Sequence, residues 1–324
     1  MSTAQPAVPR MKAVVMERHG GPGVLRYTDV ARPVPGPCEV LVRVRAAGVN
    51  PVDVKTRAGE GVAALLGPPP YVLGWDVSGV VEETGFGVTG LRSGEEVYGM
   101  PRFPGPAGAY AQYVTAPSRH FARKPASLTH TRAAGLPLAG LTTWQTLVDL
   151  AELRAGQRVL VHAAGGGVGH LAVQLAKSRG AYVIGTCGPV KAGFVQSLGA
   201  DETVDYTAVR FEDVVRDMDL VVDLVGDKEH QRRSLRTLRP GGLLVAVPSG
   251  VDEDVVREAE ERGLRTAAVL VEPDRAGLDA LTDLVESGRL RVEIDVALPL
   301  AEAAKAHELV ETGRTRGKVV LTVD

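Results

Sequence analysis

The sequence predicts an α/β fold, a doubly wound parallel sheet joined to a second, mostly antiparallel β domain. Three observations carry that expectation. Residues 157–191 read as strand, glycine turn, helix and strand; residues 39–115 hold short strand patterns separated by glycine and proline; and from about Thr131 helical and strand patterns alternate.

Taken in order, residues 1–10 read as a loose tail, and the first strand-like run begins at Met11. Glu39 to Arg45 alternates strictly, with Val40, Val42 and Val44 on one face, which predicts a half-buried antiparallel strand. Further strands are expected at Val77–Glu82, Val97–Gly99 and Ala111–Thr115, with breakers at Pro33–Pro37, Gly67–Pro70, Gly85–Gly90 and Pro101–Gly108. Together they suggest a barrel-like or sandwich-like domain. Helix 137–151 then leads to strand 159–162, and later strands are expected at 182–186, 202–205, 220–225, 243–247 and 266–271. Six such strands with helical crossovers make a doubly wound sheet. The tail of the chain adds helices near 277–287 and 300–312 and a last strand 318–323, expected to return to the first domain. The implied division is 1–130, 131–272 and 273–324. Arg232, Arg233, Arg236 and Arg239 read as a solvated helix face.

The run Val159-Leu160-Val161 has the short, β-branched character of a strand buried on both faces, and it ends in Ala163-Ala-Gly-Gly-Gly-Val-Gly169. The spacing is Ala163-x-x-Gly166-x-x-Gly169, short of a strict G-x-G-x-x-G. Missing Cβ atoms would let a pyrophosphate approach backbone N–H groups. Val168, Leu171, Ala172, Leu175 and Ala176 form one apolar helix face that ends before Gly180, so a helix N-terminus faces the turn and suits a phosphate. The dinucleotide contacts expected here are Gly166, Gly167, Val168 and Gly169.

An acid about 20 residues past the glycines would bind the 2′-hydroxyl of NAD and repel a 2′-phosphate. That count lands on Thr186-Cys187-Gly188, which holds no carboxylate; Lys191 and Tyr206 follow within reach of the same phosphate. NADPH is therefore expected over NADH, with Thr186, Lys191 and Tyr206 as contacts. Taken singly, Lys191 also fits a solvated lysine at a helix start and Tyr206 a surface ring.

Composition narrows the partners. With 37 basic and 39 acidic residues the net charge is −2, which gives no support to nucleic acid or an anionic membrane as the main partner. Two cysteines, Cys38 and Cys187, exclude a disulfide framework and a thiolate metal cluster. No apolar run approaches the roughly 18 residues a membrane helix needs, and the start MSTAQPAVPRMK lacks the order of a secretion signal. A cytoplasmic chain is expected.

Five stretches in order carry a family resemblance: Ala46-Ala-Gly-Val-Asn50-Pro-Val-Asp53; Leu73-Gly-Trp-Asp76 with Gly79-Val-Val-Glu82; Pro137-Leu-Ala-Gly-Leu-Thr142; the glycine turn; and Arg316-Gly-Lys-Val-Val-Leu321. Over nearly all of 11–323 the chain resembles a medium-chain dehydrogenase/reductase of the zinc-independent quinone oxidoreductase and enone reductase branch. The resemblance implies a Rossmann-type sheet with a GroES-like domain, a homodimer built through edge strands, and NADPH as cofactor. Zinc-using relatives place metal ligands where this chain has Asn50, Gly74-Trp75-Asp76 and Pro137 or Leu138; with no thiolate there, no tetrahedral zinc site is expected.

Reduction without a metal suits a quinone or an α,β-unsaturated carbonyl compound, because conjugation carries the developing charge to an oxygen that hydrogen bonds can stabilise. By the resemblance Lys55 is the expected donor to that oxygen, Asn50 a contact to the cofactor ribose or the acceptor carbonyl, and Asp53 its orienting partner. The alternatives are that Lys55 pairs with Asp53 or a surface acid, and that Asn50 and Asp53 only form an Asx-type turn. Trp75 and Asp76, standing where relatives have two metal ligands, line the cleft or are core and turn residues, and Asp76 reads as the latter. Thr142 is placed at a helix opening that touches the cofactor, or as a plain cap; Arg314 reaches the phosphate or is solvated; Val225 and Leu270 complete the cofactor set. Tyr71, Tyr98 and Phe103 wall the pocket or fill the core, and His162 and His170 are read as locally satisfied. Two other activities remain open: an enoyl-thioester or biosynthetic tailoring reductase, for which Arg57, Arg102 and Arg119 would supply a basic groove, and a non-catalytic NADPH-binding role.

Overall fold

The computed structural model describes residues 9–247 and 250–324. Most of the expected N-terminal tail lies outside that range, and Arg10 already belongs to a strand. In the first half, β1 (Arg10–Met16), β2 (Leu25–Ala31), β3 (Glu39–Val49), β4 (Tyr71–Val72), β5 (Asp76–Thr84), β6 (Glu96–Gly99), β7 (Tyr113–Pro117) and β8 (Phe121–Arg123) succeed one another around the helix Pro51–Ala58. The second half holds β9 (Arg158–Val161), β10 (Tyr182–Cys187), β11 (Glu202–Asp205), β12 (Met218–Asp223), β13 (Leu238–Ala246) and β14 (Arg265–Ala268), and the C-terminal stretch adds β15 (Ile294–Pro299) and β16 (Lys318–Thr322).

Among the described residues the first-half strands form two sheets. One has three strands in the order β2-β1-β4; the other runs β15-β16-β3-β5-β6-β8, with β7 also paired to β3. An isolated bridge links Ala13 of β1 to Ala111, just ahead of β7. Every pair in these sheets is antiparallel except β15 with β16. Val40, Val42 and Val44 are buried as their alternation requires, but Leu41 on the other face is buried too. The strand expected to be half-buried is thus a central one. The return of the chain end is explicit, since β16 pairs antiparallel with β3, matching Val319 to Val49 and Thr322 to Ala46.

The second-half strands make one parallel sheet in the order β11-β10-β9-β12-β13-β14. Crossovers from β9 run one way to β10 and β11 and the other way to β12, β13 and β14, so the sheet reverses direction beside β9. Ligands of such sheets bind in the crevice at this reversal, outside the carboxyl ends of the strands. The helix Gly169–Ser178 packs here, burying Leu171, Ala172, Leu175 and Ala176, the face its apolar period predicts.

Several boundaries differ from expectation. The helix expected over 137–151 is α-helical from Pro137 to Trp144 and continues as a wider π-helical segment over Gln145–Leu150, where Ala151 N–H reaches back to the Thr146 carbonyl. The arginine cluster is not one solvated face. Arg233, on the helix Lys228–Leu235, forks both carboxylate oxygens of Glu212 at 2.8 Å, while Arg239 lies in β13 and pairs with Asp219.

Candidate active site

The glycine turn closes the carboxyl end of β9. Ala164 N–H donates to the Thr186 carbonyl at 2.9 Å, and Gly166 N–H returns to the Ala163 carbonyl at 2.9 Å. Ala163 takes the left-handed conformation, φ 47°. A Cβ on Gly169 would lie 2.3 Å from the Ala163 carbonyl oxygen, so the first residue of the following helix must be glycine for the turn to fold back this tightly. Gly166 and Gly167 have no such backbone clash, the nearest atoms to a Cβ there lying 3.2 and 3.3 Å away. Their bare backbone is what a pyrophosphate would need to come close, and the ten-residue helix behind it offers its N-terminus. The residues therefore fit a dinucleotide.

The other expected cofactor residues lie at the same edge. Thr186, at the end of β10, is buried; its hydroxyl bonds His162 Nδ1 at 3.1 Å and accepts from Ala163 N–H at 3.3 Å, so it braces the turn from the sheet side. The stem of Lys191 lies against Gly165, and its ammonium donates to the Thr315 carbonyl at 2.7 Å, with burial lowering its pKa. Tyr206 is exposed with its hydroxyl near Gly188, and Arg314 is exposed next to Thr315. Lys191 thus bridges the turn to the segment that carries Arg314, and Tyr206 lies beside the Gly188 end of β10. Val225 and Leu270, both largely exposed, follow the ends of β12 and β14.

Thr142 departs from its expected place. It lies inside the helix Pro137–Trp144 rather than at its opening, and its hydroxyl bonds back to the Leu138 carbonyl at 2.7 Å. Its neighbour Thr143, which the sequence did not single out, reaches the Val168 carbonyl of the turn at 3.5 Å.

Across the crevice, Asn50 caps the helix Pro51–Ala58. Asn-Pro followed by an acid at the third helical position is a strong N-terminal signature. Asp53 accepts from the Asn50 backbone N–H at 2.7 Å, the reciprocal half of a capping box. It therefore orients the Asn50 backbone rather than the side-chain amide. That amide is held by two residues outside the expected set. Its Nδ2 donates to Asp76 Oδ2 at 2.8 Å, and its Oδ1 accepts from the Lys318 ammonium. Lys318 also lies 3.3 Å from Asp76 Oδ2, and Asp76 Oδ1 accepts the Leu138 N–H at 2.6 Å. All three side chains are at most 2 % exposed. Asp76 is thus not a plain core or turn residue but the anion of a buried ion pair, and removing either partner would leave the other uncompensated at a cost of about 3–5 kcal/mol.

Behind Asn50 runs a second polar chain. Glu311 pairs with the Arg57 guanidinium, whose NH1 approaches His307 Nδ1 at 3.5 Å; His307 Nε2 meets the Tyr110 hydroxyl at 3.2 Å, and Tyr110 adjoins Asp53. A guanidinium only donates, so His307 accepts at Nδ1 and carries its proton on Nε2, which it donates to the Tyr110 oxygen. Burial pushes His307 down to about 3, with the nearby Arg57 charge helping, and it is neutral. Burial pushes Asp53 up to about 7, partly offset by the Asn50 N–H.

Lys55 occupies the last turn of the same helix and is half-buried. The histidines beside the turn are locally satisfied: His162 bonds Thr186 and Ser234, and His170 bonds the Gly166 carbonyl at 3.0 Å and accepts from Glu293 N–H at 3.3 Å. Tyr98 is core, its hydroxyl held by the Leu278 carbonyl at 2.6 Å, and Phe103 packs edge-on against Trp75. Tyr71 is half-buried with its hydroxyl on His19. Among the described residues no group of three or more His, Cys, Asp or Glu is arranged to hold a metal ion, and no helix is long and apolar enough to cross a membrane.

The two halves meet at Gly317-Lys318. Gly317 N–H donates to the Gly165 carbonyl at 3.1 Å, and Lys318 runs from the glycine turn to Asn50. A parallel sheet with a dinucleotide turn, docked in this way on an antiparallel sheet, defines a class of two-part nucleotide-binding proteins. Comparison with known proteins makes the class specific. Residues 36–126 match a family model described as alcohol dehydrogenase GroES-like domain, and residues 198–321 one described as zinc-binding dehydrogenase. A 2-haloacrylate reductase from Burkholderia sp is 36 % identical, the match covering 95 % of this chain and 98 % of that protein. The NADPH-dependent alkenal/one oxidoreductase of Arabidopsis thaliana chloroplasts is 34 % identical over 98 % of this chain and 81 % of its own. The solved structure of the quinone oxidoreductase from Coxiella burnetii superposes with a TM-score of 0.92 at 38 % identity, covering 98 % of this chain and all of the other. The chain belongs to the medium-chain dehydrogenase/reductase family, in its quinone oxidoreductase and enone reductase branch.

Proposed function

We propose that this chain is an NADPH-dependent reductase of quinones or of the C=C bond of α,β-unsaturated ketones and aldehydes. The carrying observation is the junction at Gly317-Lys318, which sets a dinucleotide turn against a buried amide, carboxylate and ammonium cluster. The relatives support the same reading, since their names describe reduction of quinones, alkenals and haloacrylates.

When bound, the reduced nicotinamide supplies the hydride. The chain's own part is to hold Gly166 and Gly167 bare for the pyrophosphate, to place Lys191, Tyr206 and Arg314 around the 2′-phosphate, and to offer donors to the acceptor oxygen. Asn50 is the proposed amide donor and Lys55 the proposed ammonium donor, which can release a proton as the product forms. Thr186 acts through the turn it braces; Thr142, Val225 and Leu270 complete the cofactor wall. Preference for NADPH over NADH rests on Thr186-Cys187-Gly188 offering no acid and on Lys191 lying on the turn. The proposal includes the division at 1–130, 131–272 and 273–324, a cytoplasmic location, and a homodimer built through edge strands of the parallel sheet.

The basic groove of a thioester reductase has less support. Arg57 is buried against Glu311 and Arg102 pairs with Glu39, which leaves only Arg119 of the three exposed. The deciding assay follows loss of the reduced nicotinamide absorbance with a panel of quinones, alkenals and enoyl thioesters. Oxidation of NADPH by the first two groups supports the proposal; tight NADPH binding with no oxidation by any of them points to a binding protein instead.

A further inference from the structure

We infer that Lys318 is a positioning residue, which with Asp76 fixes the Asn50 side-chain amide so that its second Nδ2 N–H is offered to the acceptor oxygen. The inference deepens the reductase reading and rests on it.

An ammonium only donates and an ionised carboxylate only accepts. With Lys318 on one side and Asp76 on the other, the amide has a single orientation, Oδ1 toward Lys318 and Nδ2 toward Asp76. Asn50 Nδ2 carries two hydrogens and Asp76 takes one, so one donor is left over in a group that is 2 % exposed. Were neutral side chains to stand in for both charged partners, the amide could turn over and present its oxygen, which would repel a developing enolate.

The brace is itself rigid. Lys318 N–H donates to the Glu293 carbonyl at 3.0 Å and Gly317 N–H to Gly165 at 3.1 Å. Gly317 has φ 71°, and a Cβ on it would lie 2.4 Å from the Glu293 carbonyl oxygen. The Lys318 stem passes 3.3 Å from where a Cβ on Gly167 would be. The residue that orients the amide is thereby anchored on the dinucleotide turn, so the donor is set relative to the nicotinamide without depending on motion between the two sheets. Asp76 is fixed in turn by the Leu138 N–H at 2.6 Å.

Three variants and one measurement on the unaltered protein test this. Lys318→Met removes the donor but leaves Asp76 alone in the interior, so the double variant Lys318→Met with Asp76→Asn removes both charges together. Lys318→Arg keeps a donor. In the double variant kcat with an alkenal should fall by about 100-fold, the loss typical of one positioned oxyanion donor, with NADPH affinity by fluorescence titration changed less than about threefold; Lys318→Met alone, in which Asp76 still holds Nδ2, should chiefly lose thermal stability, and Lys318→Arg should keep most of the parent rate. A purely structural role would lower thermal stability or cofactor affinity together with the rate and would not show this split. In the unaltered protein, nitrogen-15 spectra should show one Asn50 side-chain N–H shifting when a non-reacting enone analogue joins the NADP+ complex, while the other stays put. A folded double variant with the parent kcat, or an Asn50 amide insensitive to the analogue, overturns the inference. If the unaltered protein oxidises NADPH with none of the acceptors, the reductase reading fails instead.

Discussion

Asp53 gives the most quantitative test of the buried cluster. Burial raises its carboxyl from an ordinary value near 3.8 to about 7, a difference of about 3 pH units, and the side chain is fully buried. Each unit corresponds to about 1.36 kcal/mol, so the folded state loses up to about 4 kcal/mol relative to a chain whose residue 53 stays neutral. The sign follows from proton counting. Below about pH 4 both states hold the proton and nothing is lost. Between about 4 and 7 the unfolded chain has released it and the folded one has not, so stability falls as pH rises. Above about 7 both are ionised and the slope vanishes. Asp53→Asn keeps an acceptor for the Asn50 N–H and removes the titration. Urea unfolding of the two proteins by circular dichroism, from pH 5 to 9 at fixed temperature, should therefore show the variant gaining on the parent up to about pH 7.5 and holding a constant lead beyond. Parallel curves, or a lead that shrinks with pH, would refute the placement of Asp53 in an unscreened interior. His307 is expected to stay neutral throughout this range, because burial holds it near 3.

Three further outcomes follow from the site. Lys191→Ala should raise the KM for NADPH about 10- to 100-fold, the worth of one hydrogen bond to a charged group, and leave the KM for NADH nearly unchanged; equal effects in initial-rate assays would remove Lys191 from the phosphate. Lys55→Ala should lower kcat with cofactor affinity intact, and an unaltered rate would leave water as the proton source. Gly169→Ala should abolish dinucleotide binding in calorimetry, because its Cβ would sit 2.3 Å from a backbone oxygen that cannot move without opening the turn; binding within threefold of the parent would contradict the tight turn.

What the sequence made legible was mostly local. The valines of β3, the apolar run of β9 and the periodic face of the helix Gly169–Ser178 announce themselves because burial repeats at the spacing of the element. The helix Pro51–Ala58 left its signature as well, a cap residue, a proline and an acid in the third helical position, yet its dipeptide Asn50-Pro51 also reads as a turn. β2 and β15 lie at sheet edges and were not expected: β2 is exposed along most of its length, and β15 alternates only between half-buried and exposed over six residues. The Asn50, Asp76 and Lys318 cluster was out of reach for a different reason. Its members lie 26, 242 and 268 positions apart, and no periodicity carries across such gaps. The Arg316-Gly317-Lys318 stretch was visible as a motif, but what its lysine touches is settled only when β16 pairs with β3.

The central claim is direct hydride transfer from the reduced nicotinamide of a dinucleotide held at the glycine turn to an electron-poor acceptor. It is tested most directly by turnover with NADPH deuterated at C4, each face in separate reactions, and an α,β-unsaturated ketone. One of the two labels should arrive at the β-carbon of the saturated product, with the hydrogen at the α-carbon drawn from solvent. Product carrying solvent hydrogen at both carbons, or NADPH consumed with no saturated product, would contradict the account.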